Sequence, residues 1–161
     1  MLGDLNIEMQ EELLKTQLVG RIGCHADGVT YIVPVNYVYG PPFVYAHSAN
    51  GLKIELMRQN PQVCFEVDKI ENLFNWQSVI CQGIFEEVTD ITETALAMQK
   101  LIDRIEPYLS KNEDAHPSHG FADKASDIGF TKELVIYRIK LTGKTGRFEK
   151  RELVQGLDQE A

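Results

Sequence analysis

An Asp-Gly pair at Asp27 and Gly28 constrains this chain more than any other feature. Before it, Leu18 to Cys24 (L-V-G-R-I-G-C) is apolar and β-prone. After it, Val29 to Val35 alternates strictly, with Val29, Tyr31, Val33 and Val35 on one face. Two such runs joined by a two-residue turn of this composition predict an antiparallel hairpin. Pro34 lies inside the second strand and has no N–H to give to a ladder. That strand is therefore expected at a sheet edge, or bulged, with backbone groups left for a ligand.

The rest of the chain adds mostly strands. Leu5, Met9 and Leu13 share a helical face, so about Ile7 to Lys15 reads as a short amphipathic helix. Gly40-Pro41-Pro42 turns the chain into a strand at Phe43 to Ala46. A polar break at His47, Ser48 and Asn50 precedes a short helix from about Gly51 to Asn60, with Asn50 as the expected N-cap and Pro61 as the stop. Gln62 to Val67 reads as a strand, Asp68 to Asn75 as irregular, and Trp76 to Val88 as a long strand broken by Gly83. Asp90 and Glu93 form a capping-box pattern. It opens a long helix whose apolar stripe is Ile91, Ala95, Met98, Ile102, Ile105 and Leu109. Ser110 to Asp127 is polar and suits a ligand-covering loop. Leu134 to Leu141 reads as a closing strand, and the charged tail from Thr142 is expected to pack poorly.

Strands follow strands through tight turns, which predicts a mainly β (α+β), antiparallel sheet. About six strands with flanking helices suit a small closed or split β-barrel. The 161 residues are expected to form a single domain with a core at about 18–141.

A net charge of −8 argues against nucleic acid or an anionic membrane as the main partner. No apolar run reaches the length of a membrane span, and the first residues lack the pattern of a signal peptide. Cys24, Cys64 and Cys81 form no C-x-x-C pair and read as core or strand residues in a reducing compartment, so the expected location is cytoplasmic.

Lys53 is the residue that asks for an explanation. It falls in the middle of an apolar arc of Leu52, Ile54, Leu56 and Met57, near a helix N-terminus where a cation is disfavoured. Two readings stand open: an anchor for a phosphate, or a side chain that snorkels to solvent. His47 ends an apolar strand at the mouth of the same site, and it too divides between a structural and a functional role. Gly143–Thr145 (G-K-T) lacks the earlier glycine of a phosphate loop. His116 and His119 lie beside Pro117 and Gly120, which suits a solvated loop better than a metal site. His25 reads the same way, and Glu86-Glu87 reads as a solvated strand end. No metal site is expected.

Four motifs occur in order: Y-I-V-P-V-N (Tyr31–Asn36), V-Y-A-H-S-A-N-G-L-K (Val44–Lys53), N-P-Q-V-C-F-E-V (Asn60–Val67) and W-Q-S-V-I-C-Q-G (Trp76–Gly83). Together they resemble the pyridoxamine 5′-phosphate oxidase-like flavoproteins, and within them the branch of nitroimidazole-resistance reductases. The resemblance runs from about Gly20 to Leu141. It implies a split β-barrel and a homodimer with FMN in clefts shared between subunits. It also implies site residues. Val33, Pro34, Val35 and Asn36 would line the flavin through the backbone, continued by Ala46, His47 and Ser48. Lys53 would hold the phosphate with amides around Gly51, and Ser78 and Val79 would reach the cofactor. Leu52 stands where pyridoxamine phosphate oxidases carry an Arg, and their C-terminal tryptophan and basic motif are missing, which argues against vitamin B6 oxidation. The expected function is a small FMN-dependent oxidoreductase, possible on nitroaromatics, with His47 as the candidate proton donor. The alternatives are a flavin-binding module without turnover, for storage or sensing, and a haem-binding split barrel with His47, His116 or His119 as axial ligand.

Overall fold

A computed structural model describes residues 1–109 and 134–151. The elements are β1 (Leu2–Asp4), α1 (Ile7–Thr16), β2 (Val19–Ala26), β3 (Val29–Asn36), β4 (Val38–Gly40), β5 (Phe43–Ala49), α2 (Leu52–Gln59), β6 (Gln62–Asn72), β7 (Asn75–Glu87), α3 (Ile91–Leu109) and β8 (Leu134–Glu149). Asp27 and Gly28 both have positive φ, 50° and 75°. This is the conformation of a tight hairpin turn whose twist matches its strands. The turn fixes the β2–β3 register, with Arg21 opposite Pro34 and Val19 opposite Asn36.

All pairings are antiparallel, in the order β3-β2-β6-β7-β8-β5-β4, with β1 added along β8. β3 and β4 are separated only by Tyr37. The first and last strands in the order are thus one segment that leaves one edge of the sheet and joins the other. That crossover closes the sheet into a split barrel, and β3 touches β5. Tyr37 is buried at the crossover. Its hydroxyl donates to the Leu14 carbonyl at 2.7 Å, and its ring meets Phe65 edge-on at 4.9 Å.

The inward faces of the strands form the main core with Leu13 and Leu14 of α1 and Ile54, Leu56 and Met57 of α2. Asn6 caps α1, accepting from the Met9 N–H at 2.9 Å. A second cluster on the outer face packs Ala97, Met98 and Leu101 of α3 against Ile136.

Several expectations need correction. The tail is not loose through Glu149: β8 runs on past Thr142, between β7 and β1. Its charges alternate outward while Phe148 packs on the core, and β1, too short to read from sequence, supplies its second partner. Gly143–Thr145 lies within this strand. β6 continues to Asn72, because pairing with β7 holds the polar residues Asp68, Lys69 and Glu71 in the ladder or beside it. With β1 and β4 the strands number eight. The N-cap of α2 is Gly51, and the Asn50 side chain instead accepts from Arg58 at 2.7 Å.

The buried face of α3 is Thr94, Ala97, Met98 and Leu101, leaving Ile91 81% exposed. Polar anchors set this rotation. Thr94 donates to the Val88 carbonyl at 3.3 Å, and Arg104 donates to the Gln17 carbonyl at 2.7 Å. The capping expectation holds, since Asp90 accepts from the Glu93 N–H at 2.8 Å. The Ser110–Asp127 loop, with His116 and His119, lies outside the described residues.

Candidate functional site

The crossover that closes the barrel also leaves it split. The Tyr37 N–H donates to the Leu18 carbonyl at 3.4 Å, which fixes the phase of the β2–β3 ladder. Bonded and non-bonded pairs alternate in antiparallel pairing. Val33 and Val35 therefore turn their backbone groups toward β2, whereas Ile32, Pro34 and Asn36 turn theirs toward the outer edge. The N–H that proline lacks would have faced that edge, so Pro34 takes nothing from the ladder.

The opposite edge is phased the same way. The Leu141 N–H donates to the Pro42 carbonyl at 2.9 Å. Ala46 and Ser48 thus face β8 with their backbone groups, while Tyr45, His47 and Ala49 face away from it. β4 pairs with β5 only from Val38, which sits opposite Tyr45. Two more residues of that register would place Asn36 opposite His47. These two residues stand where the edges part, and the backbone of each aims at the gap.

Side chains follow the alternation. Val35 and Ala46 are buried in the barrel, Val33 is half-buried, and Pro34 and Asn36 are exposed. His47 is half-buried on the outer face, opposite Ile136 of β8 and on the same side as Phe43 and Tyr45. Ser48 is half-buried beside it.

α2 covers this end of the barrel. Its cap, Gly51, makes no side-chain hydrogen bond, and a Cβ there would meet nothing within 4 Å, so the space before the first turn is open. Lys53 is half-buried in that turn and forms no ion pair among the described residues. Leu52, by contrast, is 49% exposed. The sequence's apolar arc therefore turns so that the lysine, rather than the leucine, enters the structure.

Burial lowers the Lys53 pKa below that of an ordinary lysine, and Cys24 offsets this only in part. The His47 imidazole is lowered too, first by burial and then by the Lys53 charge. Cys24 is raised by burial, with Lys53 opposing. His47, Cys24 and Lys53 thus share one electrostatic neighbourhood, in which the Lys53 charge has no ion-pair partner among the described residues. Among the described residues, no group of three His, Cys, Asp or Glu side chains is placed to hold a metal ion.

Ser78 and Val79 are not brought to this gap. Val79 is fully buried, and its backbone lies between β6 and β8. Ser78 faces outward and donates to Glu66 at 2.9 Å. Glu66 and Asp68 both bind Arg21 at 3.2 Å, and Arg21 is opposite Pro34. Ser78 is three strands from Asn36 on the same face, about 14 Å at ordinary strand spacing. Sequence reasoning missed Cys24 and Arg21 as neighbours of the site, although the hairpin register alone places Arg21 across from Pro34.

A cavity of about 420 Å³ lies away from the gap, between Met1, Met9, Trp76 and Phe148. Its charged residues have both signs (Lys69 and Lys150 against Glu71 and Glu149), so it offers no net attraction to an anion. The gap at α2 does.

The profile of the pyridoxamine 5′-phosphate oxidase family matches residues 8–147, most of the chain. The chain belongs to the pyridoxamine 5′-phosphate oxidase family. A curated but uncharacterized protein of Rhizobium meliloti is 33% identical over 70 residues, a stretch covering 44% of this chain and 46% of that protein, so the match spans about half of the relative. Among solved structures, a FAD-binding protein of Mesorhizobium loti is similar at 27% identity with a TM-score of 0.72, over 93% of this chain and 99% of that one. A candidate 5-nitroimidazole antibiotic resistance protein of Bacteroides thetaiotaomicron has the same fold at 18% identity and a TM-score of 0.67, over 92% and 87% of the two chains. The oxidase-family barrel is therefore common to proteins of differing descriptions, and what this member does must be argued from its own gap.

Proposed function

We propose that this chain is a flavin-dependent oxidoreductase that holds FMN at the gap between β3 and β5. The observation that carries the reading is Lys53, a half-buried cation without a carboxylate partner among the described residues, set at an open helix N-terminus. Burying a charge unpaired is unfavourable, and a bound phosphate would remove that cost while accepting from the first-turn amides. The edges would supply backbone groups of Asn36 and Pro34 to the polar rim of the ring, beside Val33 and Val35. Ala46, His47 and Ser48 would line the other side. The similar FAD-binding protein supports a flavin, and FAD carries the same phosphate next to its ribityl chain.

FMN supplies hydride and electron chemistry when bound. The chain's own residues bind, orient and handle protons. Burial and Lys53 both favour the neutral form of the His47 imidazole, a group suited to proton handling. A phosphate beside Lys53 would offset the second influence and raise the proton affinity of His47 on loading. Nitroaromatic compounds are among the acceptors to test.

A homodimer completes the reading. Ser78 lies too far from the gap of its own chain, on an outer face that exposes Val19, Ile32 and Ile80. A second copy packed on that face would cover these side chains and bring Ser78 toward the partner's flavin.

The test is titration of the purified protein with FMN and FAD, followed by anaerobic mixing with NADH and NADPH. One flavin per chain that bleaches supports the oxidoreductase. Binding without bleaching by either donor assigns a storage or sensing module. A protein that ignores both flavins refutes the reading.

A further inference from the structure

A second cavity, about 370 Å³, lies on the outer face between the first half of α3 and the start of β8. Val88, Ile91, Thr94, Met98, Leu134 and Ile136 line it, with Thr89. None of these side chains is charged. The hydroxyl of Thr94 is already engaged with the Val88 carbonyl at 3.3 Å. Charged side chains on the same face are occupied with one another: Arg138 donates to Glu86 at 2.7 Å and also binds Glu93, which accepts from Tyr45.

The strand ladder ties this cavity to the gap. Ile136 is opposite His47, and Leu134 is opposite Ala49. Directly opposed residues project to the same face, and this pair falls at the closer of the two antiparallel spacings, about 4.5 Å between Cα atoms. A molecule resting on Ile136 is therefore one side chain from the His47 ring.

The geometry points to this cavity as the binding site of a small, uncharged, largely apolar molecule of at most two fused rings, held beside His47. The volume is at the lower end of small-molecule sites. Among the described residues the lining offers no cation for a phosphate or carboxylate, and burying either there unpaired would be strongly unfavourable. That the occupant is the substrate of the flavin site rests on the function proposed above; the class of occupant rests on the lining alone.

The test uses the full chain with ¹³C-labelled methionine methyl groups, with and without FMN. The probes are 2-naphthol, neutral at pH 7, and 2-naphthalenesulfonate, its charged analogue. 2-Naphthol should shift the Met98 methyl saturably and bind at least tenfold more tightly than the sulfonate, leaving Met1 and Met9 unmoved. Thr94→Phe, which fills the cavity, and Ile91→Glu, which adds a charge at an exposed rim, should each weaken 2-naphthol at least tenfold. Ile91→Glu keeps the test valid if Thr94→Phe does not fold.

Equal affinity for both probes, shifts confined to Met1 and Met9, or an unaffected Ile91→Glu variant would overturn the assignment. So would an Ile91→Glu variant that sediments as a monomer from a dimeric parent in which Met98 never responds, since the face would then belong to a second copy. The Met98 signal needs no flavin, so failure here is distinct from failure to bind FMN.

Discussion

Replacing Lys53 with methionine should move two quantities in opposite directions. In the flavin-free protein the ammonium is half-buried without a carboxylate among the described residues, and burial has lowered its pKa. Methionine keeps most of the stem and removes the charge. Burying an uncompensated polar group costs about 1–3 kcal/mol, and partial exposure reduces this to roughly 1 kcal/mol or less. The flavin-free variant should therefore melt up to about 2–4 °C higher. In the loaded protein, the lost contact is a hydrogen bond between charged groups, worth about 1.5–3 kcal/mol. FMN affinity should fall about 10- to 150-fold. Riboflavin lacks the phosphate, so its affinity should change by less than about threefold. Quenching of flavin fluorescence reads both ligands. A variant that keeps the parent's preference for FMN over riboflavin refutes Lys53 as the anchor. One that melts several degrees lower makes Lys53 a packing residue whose stem covers apolar surface.

Further outcomes follow from the same structure. His47 is held below its ordinary pKa of 6.5, so the unfolded chain binds more protons once pH drops past that value. Urea midpoints of the flavin-free protein should fall as pH goes from 7.5 to 5, and His47→Gln should flatten that slope; an unchanged slope would put its cause elsewhere. FMN affinity should decline as pH rises through the lowered Lys53 titration, because only the ammonium is stabilised by phosphate; a pH-independent Kd up to pH 10 would contradict this. Gly83→Ala should destabilise by about 1–3 kcal/mol in chemical denaturation, since the new Cβ would lie 2.4 Å from Ile139 Cγ2 and 3.1 Å from the Lys140 carbonyl; a neutral change would mean that β7 and β8 part easily there. Ile80→Glu, on the outer face, should yield monomers in sedimentation, and a persistent dimer would place the second copy elsewhere.

The sequence carried the hairpin in full, because Asp27-Gly28 sets both turn and register. The same logic placed Pro34 at an edge, and the edge proved to be the lip of the gap. Lys53 stood out from its apolar neighbours in sequence, and the structure half-buries it while leaving Leu52 of the same arc exposed. Elsewhere the periodicity misled. The α3 stripe counted only apolar residues, whereas Thr94 and Arg104 set the helix rotation through hydrogen bonds to distant carbonyls. The run after Thr142 looked like a tail because its charges hide a strand whose partner, β1, is three residues long. The gap itself was not legible. It arises from Tyr37 carrying the chain from one edge to the other, which is a property of pairing among distant segments rather than of any window of sequence. Ser78 and Val79 were matched by motif alone, and a motif does not say where in the fold a residue will lie.

The most direct measurement of where the flavin sits is amide NMR of the flavin-free protein titrated with FMN. The account predicts saturating shifts at Asn36, His47, Gly51, Leu52 and Lys53 that riboflavin reproduces at Asn36 and His47 but not at the start of α2. Shifts centred instead on Met1, Met9, Trp76 and Phe148, or identical responses of α2 to both ligands, would contradict it.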